Sequence, residues 1–118
     1  MELPNRHLAY VPEEKITHYL LNLDHPKGRG KAQGFRDRGY NESNIDTMVR
    51  DLIAVAQSEP VSSVRPNEYG LNYVIYGVIQ SPIGGPLQVR TVWFIPHDGD
   101  IPSLATAYPR RRRERRNL

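Results

Sequence analysis

The sequence predicts an α+β fold, with N-terminal helices packed on one face of a C-terminal antiparallel sheet of about four strands. Apolar residues recur three and four apart as far as Ser58, the period of a helix with one buried face. Beyond Pro60 the chain turns to stretches rich in Val, Ile, Tyr and Thr, divided by segments that carry Gly, Pro, Asn or Asp. Helices first and strands second point to separate helical and sheet layers.

Pro12 introduces the first helical pattern, and Glu13 and Glu14 fall in its first turn, where acidic side chains complement the helix dipole. Ile16, Tyr19 and Leu20 share a face, which predicts a helix over 13–22. Pro26, Gly28 and Gly30 then break it. A short second helix is predicted over 31–38, with Ala32 and Phe35 inward and Gly39 at a left-handed stop. A third is predicted over 44–58, with Ser43 as its cap and Asp46 three residues on. Ile45, Met48, Val49, Leu52, Ile53 and Ala56 form its apolar stripe, and Pro60 ends it. Strands are predicted over 61–64, 71–79 and 87–95 and within 101–108. A hairpin loop over 81–86 and a turn over 96–100 separate the last three.

The 118 residues suit one domain, since domains most often run about 100–150 residues. Residues 1–109 are expected to form it, with 110–118 as an Arg-rich, flexible tail. Without that tail's six arginines and one glutamate, the 16 basic and 13 acidic residues fall to 10 and 12, a net charge of −2. The body is therefore mildly acidic, and the basic character lies in Arg110, Arg111, Arg112, Arg113 and the residues after them. An Arg run can pair with phosphate, or it can be a solvated tail that a partner orders. With no cysteine, disulfides, thiolate metal sites and Cys nucleophiles are excluded. No apolar run approaches the ~18 residues of a membrane span, and the first residues lack a basic-then-apolar signal pattern. A cytoplasmic protein without membrane contact is expected.

His25 is the histidine best placed for chemistry. It lies in a loop with Lys27, Arg29 and Lys31 close by in sequence and glycines between them. Imidazole moves protons near neutral pH, and cationic side chains stabilise charge gathering on a phosphate. The cluster suits a phosphodiester, although the residues 25–31, HPKGRGK, match no phosphate-loop signature. The alternative is a loop shaped by His25 and Pro26 with solvated basic neighbours. Alternation places Arg90 on one strand face with Val92 and Phe94. There an Arg must be paired, exposed or used. Thr106 and Tyr108 share a face and could hold a phosphate or a ribose, or simply be strand formers. His7, His18 and His97 show no metal-ligand spacing, so no metal and no cofactor are expected. Dispersed acidic residues give little support to a two-carboxylate glycosidase. Tyr69, Tyr73 and Tyr76 read as sheet packing rather than as a base-stacking platform.

Residues 19–32, YLLNLDHPKGRGKA, resemble the YLLN-x-x-HP-x-G-x-x-KA opening of a family of small uncharacterised bacterial domains. Residues 89–95, VRTVWFI, and 106–109, TAYP, resemble that family's close. The layout also resembles, at the level of fold, the barnase–EndoU–colicin–RelE group of ribonuclease toxins. That resemblance implies a metal-independent endoribonuclease, in which the ribose 2′-hydroxyl attacks the adjacent phosphate and leaves a cyclic phosphate. It implies His25 as general base or acid, Lys31 and Arg90 as phosphate stabilisers, and Thr106 and Tyr108 as groups that orient the phosphate or assist proton transfer. RNA would be the substrate and a neutralising antitoxin or immunity protein the partner. No second His or Glu is strongly placed, which leaves the acid that would work with His25 unassigned. The other reading is a non-enzymatic domain that binds a protein or RNA, its basic tail making the nucleic-acid contact.

Overall fold

The computed structural model describes residues 1–27 and 29–110. Helix α1 opens as an α-helical turn at Glu13–Lys15 and continues as a π-helical turn at Ile16–Leu20. Helices α2 (Arg29–Arg36) and α3 (Ile45–Ser58) follow. Strands β1 (Ser63–Asn67), β2 (Gly70–Ser81), β3 (Gly85–Pro96) and β4 (Ser103–Pro109) then pair antiparallel in sequence order. The predicted α+β layering is the observed one.

The helices differ in detail from their predicted spans. The first ends at Leu20 rather than residue 22, its last turn closed by the Leu21 N–H reaching back five residues to the Ile16 carbonyl at 2.8 Å and Leu21 itself leaving helical geometry at φ −110°. The second is shifted two residues toward the N-terminus. Its end is a Schellman motif: Gly39 has φ 95°, its N–H bonds to the Arg36 carbonyl, and the Tyr40 N–H bonds to that of Phe35. The Phe35 and Tyr40 rings meet edge to face, with centroids 6.0 Å apart. The third begins at Ile45 rather than residue 44, with Asn44 instead of Ser43 at the cap position and no side-chain cap bond to its first turn. The Asn44 side chain is occupied elsewhere, accepting the Asn41 N–H and donating to the Gly39 carbonyl, a local bond that competes with capping.

The first strand begins two residues later than predicted and runs through Pro66 to Asn67. A proline is tolerated there because β1 is an edge strand. Strands β2 and β3 extend past their predicted ends to a tight loop in which Gly84 and Gly85 have φ 90° and 77°. Arg38 fastens this hairpin, donating to the Ser81 hydroxyl at 3.0 Å and to the Pro86 carbonyl. At the other edge Tyr10 bridges to Ser103, its N–H on the Pro102 carbonyl and its carbonyl taking the Leu104 N–H. The N-terminal segment so covers part of the outer edge of β4.

The core lies between the helices and one sheet face. Met48, Leu52, Val55 and Ala56 of α3 pack with Ile16, Leu20 and Phe35 against Tyr73, Ile75, Val89, Trp93 and Ala107. Alternation leaves Tyr76, Val78, Arg90, Thr106 and Tyr108 on the opposite face. Gly77 lets α3 approach the sheet, since a Cβ there would stand 2.7 Å from Val55 Cγ1. Valine on a helix is held to one rotamer and cannot swing away. Gly77→Ala should therefore cost about 1–3 kcal/mol from overpacking, read as a lower denaturation midpoint. An unchanged midpoint would show that α3 can shift.

Candidate functional site

The π turn carries His18 and Tyr19, and the chain after it is tied to neighbouring elements. The Asn22 side chain donates to the His18 carbonyl and accepts the Asp24 N–H. Arg36 of α2 donates to the Leu21 carbonyl at 2.8 Å and pairs with Glu42. These bonds hold α1 against α2 and leave residues 23–27 as a turn at the surface. His25 is in that turn, and its Nδ1 accepts the Lys27 N–H at 3.1 Å. The His25 and Tyr19 rings meet edge to face, with centroids 4.7 Å apart.

Lys31, on the first turn of α2, is the hub. Its Nζ donates to the Tyr19 hydroxyl at 2.8 Å and lies 3.4 Å from Thr106 Oγ1. It also stands 5.2 Å from the centroid of the Tyr19 ring and 5.1 Å from that of Tyr108, within cation–π range. Thr106 and Tyr108 can both be reached because β4 is an edge strand and α2 packs on it. Arg90 pairs with Tyr108 in register, and its Cζ is 5.5 Å from the Tyr108 centroid. Among the described residues the ion pairs are Arg6 with Glu2 and Arg36 with Glu42, so no carboxylate pairs with Lys31 or Arg90.

The structure thus joins His25, Tyr19, Lys31, Thr106, Tyr108 and Arg90 in one continuous chain of contacts. His25 and Tyr19 line a cleft of about 590 Å³ with Lys15 and His18. Lys31 and Tyr108 line a second cleft, of about 580 Å³, with Lys27 and Arg110. The hydrogen bond between Tyr19 and Lys31 links the two. Arg29 is exposed and lines neither cleft. Arg110 lies 4.4 Å from the centroid of Tyr76 and continues the β3–β4 pairing through its N–H on the Gln88 carbonyl. Arg111, Arg112 and Arg113, with the rest of the expected tail, lie outside the described residues. Of the three tyrosines expected to pack, Tyr73 is buried and Tyr69 is 69% exposed in the β1–β2 turn.

Tyr19 is the site residue that the sequence conceals. Its spacing from Ile16 and Leu20 marks it as core, and nothing in the pattern sets its hydroxyl apart. Burial pushes its phenol up. Hydrogen bonds with Lys31 and Thr106 and the charges of Lys31 and Lys15 outweigh burial and hold it below its ordinary value. What the arrangement offers is an ammonium with two of its three donors engaged, a guanidinium near the Tyr108 ring, and a phenol, a hydroxyl and an imidazole able to bond or exchange protons. An oxyanion fits that set.

No helix among the described residues is long and apolar enough to cross a membrane. No group of three or more His, Asp or Glu among them is gathered as a metal-ligand set. Among curated proteins none matches the sequence. Among solved structures, the chain is similar to one in a contact-dependent growth inhibition toxin–immunity protein complex from Klebsiella pneumoniae 342, with a TM-score of 0.69 and 10% identity. The match covers 90% of this chain and 97% of that one, and at that identity it speaks to the fold alone. Residues 2–111 match the model of a family described as a domain of unknown function, DUF6883, and the chain belongs to that family.

Proposed function

We propose that this chain is a toxin-type endoribonuclease, cutting RNA without a metal by setting a ribose 2′-hydroxyl against the adjacent phosphate. The observation that carries this reading is the Lys31 ammonium, held between Tyr19 and Tyr108 and beside Thr106, with no carboxylate among the described residues paired to it. A cation fixed by hydroxyls and ring faces keeps its charge for an incoming anion. His25 takes the 2′-hydroxyl proton, and that uptake at Nδ1 gives up the bond from the Lys27 N–H. Lys31 and Arg90 balance the charge that builds on the phosphoryl oxygens. Thr106 and Tyr108 orient the phosphate, and Lys27, Arg29 and Arg110 to Arg113 add non-specific attraction to the backbone. The likeness of fold to a member of a growth-inhibition toxin–immunity complex supports the toxin-type role. Its counterpart would be a neutralising protein seated over the site.

The experiment is incubation of purified protein with total RNA or tRNA in the presence of a chelator. Cleavage should persist and should be lost in His25→Ala and Arg90→Ala. Intact RNA at high protein concentration would overturn the reading. The body's net charge of −2 favours a second reading, a non-enzymatic binding domain of immunity type. Deleting residues 110–118 separates the two. A body that reads RNA keeps measurable affinity, whereas a domain whose only nucleic-acid contact is its tail loses all of it.

A further inference from the structure

The proposed cleavage needs a proton for the departing oxygen, and the sequence reading assigns no group to supply it. The Tyr19 phenol faces the His25 ring edge to face at 4.7 Å and lines the same cleft. On its other side the hydroxyl takes the Lys31 N–H at 2.8 Å and interacts with Thr106. An ammonium can only donate, so the hydroxyl accepts from Lys31 and keeps its own O–H to give. We propose that Tyr19 is the general acid of this site, passing its phenolic proton to the 5′-oxygen as the phosphodiester breaks. The assignment rests on the endoribonuclease reading and completes it.

The balance is as follows. The bond from O2′ to phosphorus forms while the bond from phosphorus to O5′ breaks. The 2′-hydroxyl proton goes to His25 and the Tyr19 proton to O5′. The products are a 2′,3′-cyclic phosphate, a 5′-hydroxyl, an imidazolium and a phenolate. Lys31 and Thr106 stabilise that phenolate, and exchange with water restores both side chains. The groups around the phenol are Lys15 of its own helix, His25 of the next turn, Lys31 of α2 and Thr106 of β4, with Glu14 and His18 on the wall of the cleft. Cations dominate, which suits an acid that must become an anion.

The test uses two substrates for each protein. One is a dinucleoside phosphate. The other is a uridine 3′-(para-nitrophenyl) phosphodiester, whose leaving group departs without a proton. Tyr19→Phe keeps the ring against His25 and removes only the hydroxyl. It should slow dinucleotide cleavage by about 10²–10³-fold and leave the aryl ester within about tenfold of wild type, while His25→Ala slows both. The alkaline fall in the wild-type rate should be present with the dinucleotide and absent with the aryl ester, a readout that needs no variant. Equal losses of Tyr19→Phe on both substrates would make Tyr19 a positioning residue, and no loss on either would remove it from the reaction; each result overturns the assignment alone. A wild-type protein inert toward both substrates would overturn the nuclease reading, and this inference with it.

Discussion

Lys31→Met should lower RNA cleavage by about 10²–10³-fold, the usual cost of losing one preorganised donor to a developing oxyanion. One side chain serves three parts of the site: it donates to Tyr19, approaches Thr106 and places its charge over Tyr108. Methionine has similar length and no charge, and its thioether packs well against aromatic rings. The stability change should therefore stay within about 1–2 kcal/mol, since each of the two lost cation–π contacts is worth only about 0.5–1 kcal/mol. Lys31→Arg should recover little activity, because a planar fork does not fit a space built for a point charge. A further readout is the Tyr19 phenol. Without the ammonium, the upward push of burial meets less opposition, so the phenol should titrate at higher pH than in the wild type, as followed by ultraviolet absorbance. Unchanged cleavage in Lys31→Met would remove the hub from the mechanism.

Trp93→Ala should destabilise the fold by about 3–5 kcal/mol, a large share of the roughly 5–15 kcal/mol that holds a typical domain together. Trp93 is fully buried on the helix-facing side of β3, opposite Tyr73 and Leu104 in register. Its Nε1–H donates to the Thr91 hydroxyl at 2.8 Å, and that hydroxyl donates to the Ile75 carbonyl at 2.8 Å. The substitution opens a cavity and strips Thr91 of a donor. Trp93→Phe, which keeps most of the volume, should cost about 1–3 kcal/mol instead. Urea unfolding checks both: the midpoint should fall in that order at constant slope. The consequence for function is indirect. Arg90 projects from the other face of the same strand, so a loosened β3 loosens the pairing that sets Arg90 beside Tyr108.

Much of this fold is legible in the residues because local preference and burial agree along most of the chain. Met48, Leu52 and Ala56 of the expected α3 stripe are buried, whereas Ile45, Val49 and Ile53 are only partly buried and Val55, which the stripe omits, is buried as well. Gly39 marks the end of α2 because its φ of 95° suits glycine. The alternation through β3 separates Arg90 from Thr91 and Trp93, and the pairing keeps that separation. What spacing does not carry is the order of neighbours in space. His25 and Lys31 can be singled out by residue type, yet the intervening phenol cannot, because Tyr19 falls where a helical stripe wants an apolar residue. Residue type marks Ser43 as the cap, but Asn44 takes the cap position with its side chain bonded back to Gly39, a contact that depends on a turn five residues earlier.

The most direct test of the central claim, that a phosphate sits on Lys31 while a neighbouring hydroxyl attacks it, is the identity of the ends left on cut RNA. Fragments made in the presence of chelator should carry 2′,3′-cyclic phosphates and 5′-hydroxyls, and Lys31→Met should make almost none. Fragments with 5′-phosphates, or cutting that stops when the chelator is added, would contradict the account.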